Sequence, residues 1–566
     1  MFIPINFKAI MPIVLGAGLA LGIPFGAQSA AESNQTVELH IATIAPGNPT
    51  AESIHDILTG KSAFATKPVY LSHAIRRFYV QRQFKPVWSG GIDVLPIADE
   101  FFHLIASLER EGLDPGNPLY HRDRIETLLM QNDLLDPHRL SRLDLLLTDA
   151  FFSVGNHLHF GVAYGADLNT SNEYNNVPVD MAAVLENAAA NGEVTEALLA
   201  LEPKNREYRG LKAALAQYRA LAAAGGWSTR RADYADQAAV RSRLIATGDL
   251  NATGDSNATD INAGKEENSR LQDAVKRFQR RHNITADGVV GPVTSAKMAL
   301  SPEQIITKIE LNMERWKWLP PRSDGPYVIV NIPGFELEVM EANTSRMNMQ
   351  AIVGRRERET PAFASQISHI VFNPYWGVPE TILKEDLIPK LQSDPRYLET
   401  KRIKIFAAGD RNESRAIDPE TIPWNQWDGR DAGRYTFRAE PGEKNPLGYV
   451  KFIFPNRHDI YIHDTPSPSL FKNSSAAFSS GCIRIRKPVE LAHYLLSKDE
   501  PDITYKEIFT RMLSGANRWV RLQHPVDVYI TYQTVRVGKD GQLYLYKDLY
   551  GYDKKLKNYL KDILEK

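Results

Sequence analysis

The change of hydrophobic period along the chain constrains its fold more than any other sequence feature. In the first half, apolar residues recur at helical spacing, as in Leu71, Ile75, Phe78 and Tyr79. Beyond residue 325 the pattern alternates, and Tyr327–Ile332 and Phe335–Met340 flank a Pro-Gly turn. Since the two periods suit different elements, we expect a multidomain α+β protein with its strands concentrated in the C-terminal half.

Length and composition exclude several classes of protein. The 566 residues suggest three or four domains, and 43% hydrophobic with 24% charged residues is ordinary for a folded chain. The 67 basic and 68 acidic side chains give a net charge of -1. The chain therefore has no global basic field, and we expect no nucleic acid partner.

The first 31 residues have the pattern of an export signal. Ala9–Phe25 is apolar apart from glycines and prolines, and small residues follow in Ala27–Ala31. This segment is either cleaved or kept as a membrane anchor, and a membrane contact is expected only in the second case. Both alternatives predict that the protein acts outside the cytoplasm.

The single cysteine, Cys482, excludes an intrachain disulfide, a CxxC pair and a multi-cysteine metal site. A free thiol in an exported chain is either a buried, inert side chain or a reactive group. His463 lies 19 positions earlier, and both residues end strand-like segments. In the strand that follows the loop, alternation puts Cys482 and Arg484 on the same face. In the strand that precedes the loop, it puts Tyr461 and His463 on the same face. A base and nearby cations are what a thiolate needs near neutral pH.

The His157/His159 pair has no third ligand at metal-binding spacing. We therefore expect neither a metal nor a cofactor.

A helical segment before the strands has a recognisable core. Leu271, Ala274, Val275 and Phe278 form one apolar stripe, and a turn and a short helix follow it. The segment resembles the small helical peptidoglycan-binding module of many wall enzymes, and the alternative is an unrelated helical hairpin. Residues 249–265 are of low complexity and predict a flexible insertion in this module.

The residues around the cysteine resemble the active-site signature of the L,D-transpeptidases, enzymes of the bacterial wall. The signature is a His, a loop, and then Ser/Thr-His-Gly-Cys followed by an apolar residue and Arg; here Ser480 stands where many members have His. The large periplasmic subfamily is also similar in Asn373–Pro379, which contains Trp376, and in Asn445–Asn456.

This resemblance implies acyl transfer between wall peptides. His463 would take the proton of Cys482, whose thiolate attacks a tetrapeptide stem and releases D-alanine. The side-chain amine of a diamino acid in a second stem would then resolve the thioester, giving a 3-3 cross-link. Carbapenem β-lactams are the implied inhibitors.

Further site residues follow from the signature. The N–H groups of Gly481 and Cys482 would hold the oxyanion, and Ser480 would contribute its backbone carbonyl. The expected substrate-binding residues are Arg484, Tyr461 and Trp376. Whether Asp464 orients His463 or faces solvent stays open.

Three alternatives remain at this point. Ser469–Lys472 is an SxxK motif of serine transpeptidases, although the chain has no Lys-Thr-Gly or Lys-Ser-Gly. The chain could also be a non-catalytic wall-binding scaffold. The same fold could instead act as a hydrolase, a carboxypeptidase or endopeptidase.

The expected domain organisation combines these observations. The predicted segments are a signal or anchor (1–31), a linker (32–66), a helical scaffold domain (67–235), a three-helix peptidoglycan-binding module (236–300), a connecting helix (301–324), a mainly-β L,D-transpeptidase domain (325–535) with a lid around 380–440, and a C-terminal hairpin and helix (536–566).

Overall fold

The computed structural model describes most of the chain beyond residue 43. The described ranges are 44–61, 73–90, 93–131, 136–166, 168, 174, 177–251, 263–320, 325–342, 344–410, 415–427, 431–473 and 475–565. The predicted export signal lies outside them. In these ranges, every helix is too short or too polar to span a bilayer.

The described helices have the following bounds: Pro49–Leu58, His73–Gln81, Pro96–Ser107, Arg122–Leu129, Pro137–Phe160, Met181–Asn191, Val194–Leu199, Arg206–Ala223, Gln237–Ala246, Ala263–Arg281, Pro292–Met298, Pro302–Lys317, Glu380–Ile382, Ile388–Ser393, Tyr397–Thr400, Pro488–Leu496, Tyr505–Leu513 and Tyr552–Leu564.

The first helix corrects the predicted linker at 32–66. Helix Pro49–Leu58 is capped at its N-terminus by Asn48, whose side chain accepts a hydrogen bond from the Ala51 N–H at 3.0 Å. Ile54 and Leu58 are buried, so this segment packs although its composition is mostly polar.

The chain divides into two compact units, of which one contains residues up to Leu95 together with Leu128–Asp149. A buried carboxylate, that of Asp144, holds this unit together. It accepts hydrogen bonds from the Tyr79 hydroxyl at 2.6 Å and from the Trp88 N–H at 2.8 Å. Burial raises the pKa of Asp144 to about 6.

The other unit contains Pro96–Thr127 and Ala150–Lys566. In it, the predicted apolar stripe of the small module is confirmed as a core, formed by Tyr234, Val240, Leu244, Leu271, Ala274, Val275, Phe278 and Met298. Asp249, at the start of the predicted flexible insertion, is instead buried in an ion pair with Arg281. Arg281 also donates to the Leu543 carbonyl at 2.6 Å, which bonds the module to the C-terminal hairpin.

The same unit contains the strands that the alternation predicts. Fourteen strands occur in the described ranges: β1 (Tyr327–Asn331), β2 (Glu336–Glu341), β3 (Thr344–Gly354), β4 (Phe363–Phe372), β5 (Trp376–Gly377), β6 (Ile403–Ala407), β7 (Tyr435–Ala439), β8 (Val450–Ile453), β9 (Ile462–His463), β10 (Ala477–Ser479), β11 (Ile483–Ile485), β12 (Arg518–Thr531), β13 (Val535–Val537) and β14 (Leu543–Leu545).

Nine of these strands form one sheet in the order β10-β3-β11-β9-β8-β4-β12-β1-β2, and β2 also pairs with β3. Eight strands therefore close into a ring, with β10 added beside β3. The expected α+β fold with a mainly-β C-terminal domain is confirmed, although β3, β4 and β10 of this sheet were not predicted.

The ring encloses the main core, and a second core lies on its outer side. Inside, the strands pack against helices Pro488–Leu496 and Tyr505–Leu513. Outside, Ile329 and Tyr529 pack with helices Arg206–Ala223 and Pro302–Lys317. The predicted connecting helix is thus a buried part of this core, because Trp316 and Trp318 are fully buried.

The region around 380–440 is more ordered than its irregular, polar sequence suggests. Short helices precede β6, and β5, β7 and β6 form a three-stranded sheet. Leu391, Ile405 and Trp424 are buried in a core of its own. Cross-strand pairing between distant segments creates this subdomain, which we call the cap (Trp376–Ala439).

Candidate active site

Strands β9 and β11 bring His463 and Cys482 together. The two strands run parallel, with Ile483 opposite Ile462 and Arg484 opposite His463. Both isoleucines are buried in the main core, so the alternating side chains face outward. Cys482 and Arg484 therefore share a face with Tyr461 and His463. The sequence predicts the alternation within each strand, and the pairing of the two strands joins the two faces.

This face lines a pocket of 1030 Å³. Its walls include residues of the two strands, the segment Arg457–Ile460, residues between Arg358 and Ala362, and Trp376–Ile382 of the cap. Every predicted site residue lines this pocket: Cys482, His463, Gly481, Ser480, Arg484, Tyr461 and Trp376. Ser469 lies on an exposed turn and is not part of the lining, which disfavours the serine-nucleophile alternative.

The Cys482 thiol is held as a neutral group. Its Sγ lies 3.8 Å from the Asp459 carbonyl oxygen. Burial raises the thiol pKa, and this effect outweighs the Tyr461 backbone and phenol, which favour the thiolate. The sequence pattern predicts a thiolate near neutral pH, but in this structure the thiol needs a base to remove its proton.

His463 is the candidate for that base, because it lines the same pocket on the neighbouring strand. Its Nδ1 lies 2.6 Å from the Asp464 carbonyl oxygen, which assigns the proton of the neutral imidazole to Nδ1 and leaves Nε2 unprotonated. The Leu447 backbone also interacts with the ring. Burial lowers the His463 pKa to about 3, and the Arg484 guanidinium adds to this effect. The imidazole is therefore neutral near pH 7.

The Asp464 carboxylate neither orients the imidazole nor faces open solvent. Its carboxylate accepts hydrogen bonds from the N–H groups of Tyr449 at 2.9 Å and Thr465 at 2.7 Å. A Cβ on Gly448 would collide with this carboxylate. Asp464 thus fixes the loop that precedes β8, while its backbone carbonyl holds His463.

The turn before Cys482 changes the expected oxyanion site. Gly481 has φ 113°, and its N–H donates to the Ser479 Oγ at 3.2 Å. Its carbonyl accepts from the Thr360 hydroxyl at 2.7 Å. The Gly481 N–H is therefore already used, and the Cys482 N–H is the remaining backbone donor, without a partner in the described part of the chain.

The Ser480 side chain has a partner that the sequence analysis missed. Its Oγ accepts a hydrogen bond from Arg358 Nη1 at 2.9 Å. Arg358 also donates to Glu385 at 3.1 Å and to Asp386 at 2.6 Å, both in the cap. Arg358 therefore connects the cysteine turn to the cap. No sequence motif marks Arg358, so the sequence analysis could not identify it.

Two cations flank His463 on the neighbouring strands. Arg484 is opposite it on β11, and Lys451 is opposite it on β8. Both are half-buried, and no carboxylate in the described ranges pairs with either. Arg484 Nε is buried without an acceptor. Lys451 was not predicted, because only the strand register reveals its place beside the histidine.

Tyr461 and Trp376 form the aromatic wall of the pocket. The Tyr461 ring lies edge-on to His463, with centroids 5.7 Å apart. The Tyr461 pKa is raised well above its usual range, mainly by burial and secondly by the neighbouring Cys482, so the phenol stays protonated. The phenol interacts with both Cys482 and the Trp376 side chain. Tyr461 thus touches the thiol itself, a role beyond the predicted substrate contact.

The His157/His159 pair is engaged in ordinary hydrogen bonds. His157 Nδ1 lies 2.8 Å from the Tyr120 hydroxyl, and His159 Nε2 lies 3.0 Å from the Val177 carbonyl oxygen. In the described ranges, no cluster of three or more His, Cys, Asp or Glu side chains could hold a metal ion.

Comparison with known proteins assigns three regions of the chain to families. Residues 325–507 match an L,D-transpeptidase catalytic domain, and residues 73–215 match a scaffold domain. Residues 241–298 match the family described as "Putative peptidoglycan binding domain". A Haemophilus influenzae protein named "Putative L,D-transpeptidase" is 32% identical over 293 residues, which are 51% of this chain and 57% of the relative. The chain thus spans little more than half the length of that relative.

Proposed function

Because this chain belongs to the L,D-transpeptidase family, we propose that it forms 3-3 cross-links between peptidoglycan stems, outside the cytoplasm, with Cys482 as nucleophile. The observation that carries the proposal is the position of the only cysteine beside a neutral, buried histidine in one pocket. Peptidoglycan as the substrate is supported by the matched catalytic and wall-binding families.

In the first half-reaction, His463 Nε2 takes the Cys482 proton as Sγ attacks the carbonyl before the terminal D-alanine of a donor stem. The C–S bond forms, the C–N bond breaks, and His463 returns the proton to the departing amine. The Cys482 N–H is the backbone donor available to the oxyanion. This half-reaction consumes only the donor stem and releases D-alanine.

In the second half-reaction, an amine of the acceptor stem attacks the thioester. A C–N bond forms and the C–S bond breaks, and the proton of the amine passes through His463 to the sulfur. One amide is exchanged for another, so the sequence of steps needs no cofactor and no energy source.

The test uses the purified full chain with disaccharide tetrapeptides. Mass spectrometry should detect a cross-linked dimer and released D-alanine, and Cys482→Ala should give neither. A shortened monomer without dimer would identify a hydrolase. Normal cross-linking by Cys482→Ala would exclude the cysteine mechanism.

A further inference from the structure

The face of the sheet that carries the catalytic pair continues beyond it. One row of register partners crosses the ring. It contains Arg484 on β11, His463 on β9, Lys451 on β8, Val371 on β4 and Trp519 on β12. Register partners point to the same side of a sheet. The Trp519 side chain is therefore on the face of His463, three strands away, or about 14 Å at the usual strand spacing.

We propose that this face beyond His463, carrying Lys451, Trp519, His369 and Arg521, binds the acceptor stem, a short peptide that bears free carboxylates. We call these four residues the β8–β12 strip. The proposal rests on the proposed transpeptidation and adds to it the place of the second substrate.

The strip is continuous with the pocket. Lys451 lines the pocket, and its Nζ lies 4.8 Å from the Tyr461 ring centroid and 6.0 Å from that of Trp519. The Trp519 ring meets His369 edge-on at 6.1 Å. A peptide could therefore extend from the thiol to the indole along one surface.

The indole is unusually open for so large an apolar group. Trp519 is 59% exposed, although it stands on a sheet face that adjoins a deep pocket. An exposed aromatic group at the edge of a binding cleft is a typical contact for a ligand that extends out of the cleft.

The charge of the strip favours an anionic ligand. Arg521 is exposed opposite His369, and Lys451 is half-buried. In the described ranges, neither cation has a carboxylate partner. Burial lowers the Lys451 pKa, and the neighbouring Cys482 is neutral at rest, so it supplies no counter-charge. A peptide carboxylate would supply the missing counter-charge, and such bonds are strong in a partly buried site.

The position of the base separates the two substrates. The donor carbonyl must reach Sγ of Cys482, which lies directly before β11. The acceptor amine must give its proton to His463 on β9, and the strip begins on the other side of that residue. The acceptor therefore fits the strip, and its body would lie over β8, β4 and β12.

The test separates the two half-reactions. Trp519→Ala and Arg521→Gln are expected to raise the KM for the acceptor stem at least fivefold, while the rate of Cys482 acylation by the donor changes less than twofold. Phe509→Ala is the matched control, since Phe509 is 51% exposed on helix Tyr505–Leu513 and is not part of the strip. Intact-protein mass measures acylation, and chromatography of the dimer measures transfer.

A second measurement does not depend on turnover. A stem tripeptide with its reactive amine acetylated should quench the fluorescence of the wild type more than that of Trp519→Phe. Amidation of its carboxylates should weaken binding to the wild type but have little effect in Arg521→Gln.

The outcomes distinguish this proposal from the proposed function. An unchanged acceptor KM together with equal quenching in Trp519→Phe overturns the acceptor strip. If the substitutions slow acylation and transfer equally, the strip binds the donor, and the acceptor proposal is overturned as well. A wild type that neither acylates nor cross-links refutes the proposed function, whereas the fluorescence titration still tests the strip.

Discussion

At the scale of single residues, Cys482 and His463 are both neutral at rest. Burial raises the thiol pKa of Cys482 and lowers the imidazole pKa of His463 to about 3. Both shifts oppose a thiolate–imidazolium pair. The proton would therefore move only when a substrate carbonyl is in place to accept the attack of the sulfur.

This pairing predicts a specific pH dependence for inhibition. A carbapenem should acylate Cys482, and because His463 stays neutral above about pH 3, the wild-type rate should show no acid limb near pH 6.5. His463→Ala should be slower by roughly 10²–10⁴-fold at pH 6. Its rate should rise with pH as free thiolate forms, so the defect shrinks.

Intact-protein mass across pH 5–9 measures both rates. Cys482→Ala should give no adduct, and Ser469→Ala should behave like the wild type. A defect in His463→Ala that is equal at every pH would mean that the imidazole mainly positions the thiol.

At the scale of elements, the cap is joined to the cysteine turn by one side chain. Arg358 donates to Ser480 on that turn and to Glu385 and Asp386 in the cap. The turn geometry and the cap position are therefore coupled. Ser480, which stands where many family members have His, has its hydroxyl committed to this contact.

Removing this contact should loosen the cap. Arg358→Met deletes several charge-assisted hydrogen bonds, and we expect the opening free energy of the cap to fall by about 2 kcal/mol. Hydrogen exchange over 380–393 should then be roughly 30-fold faster, with a slower transfer step. The exposed neighbour Arg356 offers the control Arg356→Met. Unchanged exchange in Arg358→Met would show that the cap is held by its own core.

At the scale of the whole molecule, a buried arginine, Arg281, joins the small helical module to the C-terminal hairpin. Asp249 pairs with Arg281, which reaches the Leu543 carbonyl in the C-terminal hairpin. Deleting the module would therefore remove an internal contact of the catalytic body. Single substitutions are the better probes.

Breaking this pair should lower stability strongly. Asp249→Asn leaves the Arg281 charge buried without its partner, which typically costs about 3–5 kcal/mol. Asp273→Asn removes the solvent-exposed pair with Lys276 on the same helix and should cost at most about 0.5 kcal/mol. Thermal unfolding of the full chain measures both changes. Similar melting temperatures for the two variants would contradict the structural role of Asp249.

Wall binding by the module can be tested separately from catalysis. Gln272, exposed on helix Ala263–Arg281, lines a cavity of 610 Å³. Gln272→Ala should reduce pelleting with isolated sacculi severalfold, and iodoacetamide labelling of Cys482 should stay unchanged. Asp273→Ala, a neighbour outside that cavity, is the control. Equal pelleting of the two variants would argue against this cavity as the wall-binding site.

The sequence by itself determined the features that depend on local periodicity. Alternation grouped Cys482 with Arg484 on one strand and Tyr461 with His463 on the other, and a helical stripe predicted the core around Phe278. Both patterns are short-range, because a strand or helix fixes the directions of side chains only a few residues apart.

The tertiary structure decided what depends on pairing between distant segments. The register of β8 against β9 puts Lys451 beside His463, and β12 adds Trp519 to the same face. Arg358 reaches Ser480 across 122 positions. The buried state of Asp249 and the hydrogen bonds of Asp464 also depend on neighbours that no local pattern names. Burial then sets the charge of the catalytic pair, because the cost of desolvation exists only once the chain has folded.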